Sequence, residues 1–157
     1  VMLRVGFGRG PRSAVSAVSK KDVWAVGYQV SAGVFSSLAE HYDGTAWSVR
    51  PTTMPSGSGN SYFEGVDAAS ATDVWAVGYS VASSDQTGLT MAQHWNGKKW
   101  KLVPTPNPEG SSVSILSSVT EVAPDDVWAV GYQQVNGTDS TLVEHYDGST
   151  CDRQSVV

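Results

Sequence analysis

A single cysteine among 157 residues rules out an internal disulfide framework and argues against a structural zinc site. Charge is also sparse: charged residues make up 16% of the chain, the net charge is -5 and the pI is near 5.0. An acidic chain with no basic stripe is a poor partner for nucleic acid. Its only paired lysines, Lys20-Lys21 and Lys98-Lys99, fall in turn-like segments as solvated charge. No stretch approaches 18 apolar residues, so no membrane insertion is expected. Residues 1–7 carry Arg4 and are too short for the apolar core of a signal peptide. No segment combines helical periodicity with caps. No phosphate-binding glycine loop, His-Glu-x-x-His helix or Gly-x-Ser-x-Gly elbow occurs, and Gly6-Phe7-Gly8-Arg9-Gly10 is too irregular to serve as one. The sequence therefore implies no cofactor and no metal, and it identifies no catalytic residue.

Against this background one feature dominates. Asp22-Val23-Trp24-Ala25-Val26-Gly27-Tyr28 returns at Asp73 to Tyr79 and again at Asp126 to Tyr132, at offsets of 51 and 53 residues. Such a period marks a repeat architecture whose units cannot bury their apolar faces alone. A second anchor recurs as Glu40-His41-Tyr42-Asp43-Gly44, Gln93-His94-Trp95-Asn96-Gly97 and Glu144-His145-Tyr146-Asp147-Gly148. Six residues after each His stand Trp47, Trp100 and Cys151, so the third unit reads as incomplete in its last segment.

The middle repeat parses into four strands. Residues 63–69 are short and apolar, and 70–73 form a turn. Residues 74–81 are dense in strand-favouring Val, Trp and Tyr and are apolar on both parities, as for a strand covered on both faces. Residues 89–95 and 99–103 make two more strands around Asn96-Gly97, a hairpin signal. The expected fold is all-β: a β-propeller with three four-stranded antiparallel blades per chain. The expected divisions are an N-terminal strand in 1–13, blade 1 in 14–55, blade 2 in 56–108 and an incomplete blade 3 in 109–157.

The unit resembles a kelch-type blade. Val74-Trp75-Ala76-Val77-Gly78-Tyr79 is similar to the kelch strand that ends in glycine, and His94-Trp95 followed by Trp100 to the kelch tyrosine and its later tryptophan. The pattern departs from kelch where Tyr28, Tyr79 and Tyr132 replace a second glycine. Secreted actinobacterial proteins with Asp-Val-Trp-Ala-Val-Gly repeats look closer still. The resemblance covers residues 14–151 and implies a propeller.

Closed propellers need roughly four to eight blades. Three blades leave open faces, which a homo-oligomer would cover, a dimer first of all. In that reading the strand in 1–7 supplies the missing outer strand within a chain or to a neighbour. The alternative is a fragment of a longer protein. The chain begins on Val rather than Met, which fits a mature or fragmentary product. Low Lys with abundant Ser, Thr and Gly fits a secreted protein, and Asn136-Gly137-Thr138 is a glycosylation sequon.

Segments 29–37, 80–90, 133–141, 52–62 and 105–113 read as long loops on one face of the disc, where binding usually lives. Tyr28, Tyr79, Tyr132, Phe35 and Tyr62, with Asp85 and Asp139, are the candidate ligand-binding residues there, and aromatic faces beside polar groups suit carbohydrate. Packing between blades is the other role open to the three tyrosines. His41, His94 and His145 hold one repeat position and diverge with their blades, so a structural bond to backbone or Asp is expected of each. The Asp of each Asp-Val-Trp is expected to cap a turn. Because acidic and His positions mostly repeat, a lectin-like binding module is favoured over a glycan-active hydrolase or lyase. A structural fragment without its own ligand is the third reading.

Overall fold

The computed structural model describes residues 9–155. The described chain is all-β, with twelve strands and no helix. They fall into three successive antiparallel meanders. The first comprises β1 (Arg9–Ser19), β2 (Asp22–Ser31), β3 (Val34–Tyr42) and β4 (Trp47–Val49). The second comprises β5 (Ser58–Ser70), β6 (Asp73–Ala82), β7 (Gly88–Trp95) and β8 (Trp100–Val103). The third comprises β9 (Ser111–Ala123), β10 (Asp126–Val135), β11 (Thr138–Tyr146) and β12 (Cys151–Arg153). The second and third are joined by one parallel bridge, Gly88 to Val113.

The repeated heptapeptide forms the second strand of each sheet, and its alternation explains the fold. In β6, Val74 and Ala76 enter one apolar cluster with Trp24, Val26, Trp95 and Trp100. Trp75 and Val77, on the opposite face, enter a second cluster with Leu116, Val127, Ala129 and Leu142. Successive strand residues point to opposite faces, so this one strand is glued to both neighbouring sheets. That is why the heptapeptide is apolar on both parities.

The glycine of the motif has a steric reason. Opposite Gly78 and Gly131 the inner strand carries a bulge, between Phe63 and Gly65 and between Leu116 and Ser118. A Cβ on Gly78 would overlap the Tyr62 carbonyl oxygen, and one on Gly131 that of Ile115. The bulge presses the inner strand so close that only glycine fits.

The turns after the third strands are also repeated. Asp43 Oδ1 accepts the N–H groups of Thr45 and Ala46 at 2.8 and 2.9 Å. Asn96 does the same for Lys98 and Lys99, and Asp147 for Ser149 and Thr150. These bonds hold the Asp147 carboxyl down at about 2. Turn capping therefore belongs to the Asp or Asn before glycine, not to the Asp of Asp-Val-Trp.

Three sequence expectations are corrected. The third unit does have a fourth strand, β12, because strand pairing uses backbone and does not require a tryptophan. Residues 9–13, placed with an independent N-terminal strand, are part of β1 and pair with β2. The strand expected in 1–7 lies outside the described residues. Finally, 29–37 and 133–141 are not long loops. The strands run through them to two-residue turns, Ala32-Gly33 and Asn136-Gly137, in which all four residues have positive φ between 50 and 80°. That is the mirror-type turn matched to strand twist. Between β6 and β7 the connection is 83–87, and the true loops are the linkers 50–57 and 104–110.

Candidate functional site

The hairpin ends bring four aromatic rings together. Tyr28 of β2 lies 5.7 Å from Phe35 of β3 and 5.2 Å from Tyr62 of β5, and Phe35 lies 5.6 Å from Tyr62. Tyr62 stacks on Tyr79 of β6 at 4.7 Å and 18°. The position of each ring follows from register. Tyr62 sits directly opposite Tyr79 in the β5–β6 ladder, and Tyr28 two steps from Phe35 in β2–β3. The cluster crosses from the first sheet to the second, and all four side chains are half-buried. Among the described residues the hydroxyls of Tyr28, Tyr62 and Tyr79 make no hydrogen bond. Burial, with Tyr62 and Glu64 close by, pushes the Tyr79 hydroxyl up to about 12. Burial also raises that of Tyr62. The Tyr62 and Tyr79 phenols are thus neutral donors across the physiological range.

The other candidates make no ring contact with the cluster, although Tyr132 lies near enough to Tyr79 to help raise its hydroxyl. Tyr132, their counterpart in the third sheet, is exposed and has no ring partner among the described residues. Asp85 accepts the Thr87 N–H at 3.0 Å in the exposed turn, and Asp139 accepts the Gln134 amide at 2.9 Å on the third hairpin. Neither contacts the aromatic cluster.

A cleft of about 370 Å³ opens beside the first sheet, lined among others by Gln29, Ser36, Arg50, Thr52 and Ser61. Gln29, Ser36 and Ser61 each adjoin a cluster aromatic along a strand, so their side chains point to the face away from the rings, and none of the four aromatics lines the cleft. The inner wall is rigid: Ser37 N–H donates to Ser61 Oγ at 2.9 Å, and Phe35 N–H to Asn60 Oδ1 at 2.9 Å.

The histidines form a second repeated arrangement. His41 Nε2 meets Asp22 at 2.8 Å, His94 meets Asp73 at 2.5 Å and His145 meets Asp126 at 2.9 Å. Each imidazole also stacks on the tryptophan across the ladder, at 4.5, 4.8 and 4.2 Å. The expected structural bond is what each histidine makes. The sequence did not show that its partner would be the Asp of Asp-Val-Trp, two residues before that tryptophan. No group of three or more metal-ligating side chains occurs among the described residues.

Two carboxyls are unusual. Burial first, then Asp73 and Asp67, raise Glu121 to about 7. Its N–H donates to Asp67 at 2.8 Å. Glu144 is raised by burial to about 7, while the Cys151 thiol donates to it at 3.4 Å. Both residues were visible in the sequence, but their burial depends on sheet packing and had no sequence signal. No family model matches this chain, and no curated protein matches it significantly.

Proposed function

We propose that the three sheets are blades of a kelch-like β-propeller, and that the protein is a non-catalytic, extracellular binding module for carbohydrate. The observation that carries this reading is the four-ring cluster of Tyr28, Phe35, Tyr62 and Tyr79, with three unbonded hydroxyls. Sugar rings present C–H faces that stack on aromatics and hydroxyls that take phenolic hydrogen bonds. A rigid ladder holds the rings, so little ordering cost attends binding. The repeated meander and the use of β6 to join the sheets on either side support the propeller. A glycan-array screen of the intact chain tests the function: specific binding that Tyr62→Ala abolishes supports it, and no binding by the folded protein defeats it.

A glycan-active hydrolase is the second reading, favoured by Glu121, whose carboxyl near 7 beside Asp67 would suit a general acid. Asp73, beside Glu121, and Tyr79 are six residues apart along β6, roughly 20 Å at the usual strand rise. A ligand seated on the rings therefore does not put its nearest bond at Glu121, which favours binding. Hydrolysis of a glycan lost in Glu121→Gln would reverse that preference.

A further inference from the structure

Three tryptophans occupy one repeat position and differ in one respect. Trp24 is 1% exposed, Trp75 4% and Trp128 36%. Two positions on, the series repeats: Val26 is 0% exposed, Val77 1% and Val130 44%. The cause is visible at the internal seams. Trp24 of the first sheet enters between Trp95 and Trp100 of the second, at 5.4 and 5.7 Å. Trp75 of the second sheet meets Tyr146 of the third at 5.0 Å. The first two sheets thus each project a tryptophan onto the aromatic residue that ends the third strand of the sheet that follows, Trp95 or Tyr146; the first seam adds Trp100, where the third sheet has Cys151. Trp128 is exposed on the corresponding face, and among the described residues no sheet follows to receive it.

The matching receptor lies at the other end of the molecule. Tyr42 and Trp47 are the counterparts of Trp95 and Trp100, and they already stand 5.5 Å apart. Both are half-exposed, whereas Trp95 and Trp100 are buried. Val15, on the same first sheet, is 66% exposed.

A second repeated bond has the same direction. Ala68 N–H in the second sheet donates to Ser16 Oγ of the first at 3.1 Å. Glu121 N–H in the third sheet donates to Asp67 Oδ2 of the second at 2.8 Å. The side chains that accept, Ser16 and Asp67, lie opposite Trp24 and Trp75 in their ladders. Thr120 lies opposite Trp128 and is the next acceptor in the series, and Ala17 is the matching N–H of the first sheet. Both are exposed.

We infer that the third sheet of one copy docks on the first sheet of a second copy, with Trp128 entering between Tyr42 and Trp47 and the Thr120 hydroxyl accepting the Ala17 N–H. Each copy carries one projecting and one receiving face, so the contact is heterologous, head to tail. It reproduces a seam that the chain already makes twice within itself, which is the reason a second copy is the occupant.

Light scattering on eluting protein tests this with three samples. The wild type is expected at a multiple of 16.6 kDa. Trp128→Glu and Trp47→Glu should each run as monomers, with far-UV circular dichroism unchanged. Mixed in equal amounts they should form a dimer, because each retains the face that the other lacks. Should Trp47→Glu lose its fold, Val15→Glu on the same face replaces it. A wild-type monomer at about 100 μM, assembly surviving Trp128→Glu, or a mixture that stays monomeric would each overturn the inference, the first leaving the seam to a further repeat on the same polypeptide.

Discussion

Trp24 stands over Trp100 with ring planes at 89° and centroids 5.7 Å apart, so a residue of the first sheet is fixed by the outermost strand of the second. Edge-to-face pairs of this kind add to the area that they bury. Truncating a large buried aromatic costs about 3–5 kcal/mol. Trp24→Ala and Trp75→Ala should therefore each lower unfolding stability by that amount. Trp128→Ala, measured where the chain is a single copy, should cost no more than about 1 kcal/mol, as for other surface changes. Urea denaturation of the three variants gives the comparison. Equal losses at all three positions would contradict the one-directional seam.

Glu144 and Gln93 hold the same place in successive sheets. Gln93 donates to the Thr53 carbonyl at 2.7 Å and accepts the Thr53 N–H at 3.1 Å. In the next linker Pro106 stands where Thr53 does, and proline has no N–H to give. Glu144 is accordingly buried with one oxygen unbonded, and its carboxyl rises from 4.5 to about 7. A raised carboxyl holds its proton in the folded state after the unfolded chain has lost it. The associated stability is complete below pH 4.5 and is lost as pH climbs to 7. The loss is on the order of 3 kcal/mol. Glu144→Gln should flatten this slope between pH 4.5 and 7 and stabilise the protein at pH 8. Chemical denaturation across that range measures it. Glu121, also raised, adds a slope of the same sign that Glu144→Gln leaves in place.

Gly78→Ala should be among the most damaging single-methyl changes in the chain, since the new Cβ meets backbone rather than a mobile side chain. A loss of at least about 2 kcal/mol is expected from overpacking of this kind. The same change at Gly33, where no atom lies within 4 Å, should cost less and act only through its φ of +80°. Thermal melts of the two variants separate steric contact from backbone preference.

Cys151 should be a slow thiol. Burial and the adjacent Glu144 push it up to about 12, and only the thiolate reacts. Alkylation at pH 8 should be at least about 100-fold slower than for a free cysteine. In Glu144→Gln, which removes the facing carboxylate, the rate should increase.

Much of the fold was legible because two signals agree in it. The heptapeptide is apolar on both parities, and sheets covered on both faces demand that. Asp-Gly and Asn-Gly mark the tight turns after β3, β7 and β11. What misled was polarity. Gln29, Ser31 and Ser140 are exposed and Gln133 half-buried at the ends of strands whose hairpins reach beyond the sheet stack, so they read as loop residues. Cys151 in place of tryptophan suggested a missing strand, although a backbone ladder needs only an extended chain. The site was legible in part: Tyr28, Tyr62, Tyr79 and Phe35 meet because register aligns them. Asp85 and Asp139 rested on the loop reading and lie elsewhere. The raised carboxyls of Glu121 and Glu144 arise from packing between sheets, which no local pattern encodes.

The binding account rests on the aromatic cluster, and NMR of protein carrying ¹³C-labelled tyrosine rings addresses it directly. On titration with an oligosaccharide chosen by array, the ring signals of Tyr28, Tyr62 and Tyr79 should shift together and saturate at one affinity, while those of Tyr42 and Tyr146 stay in place. Binding that leaves the first three unmoved would contradict the account.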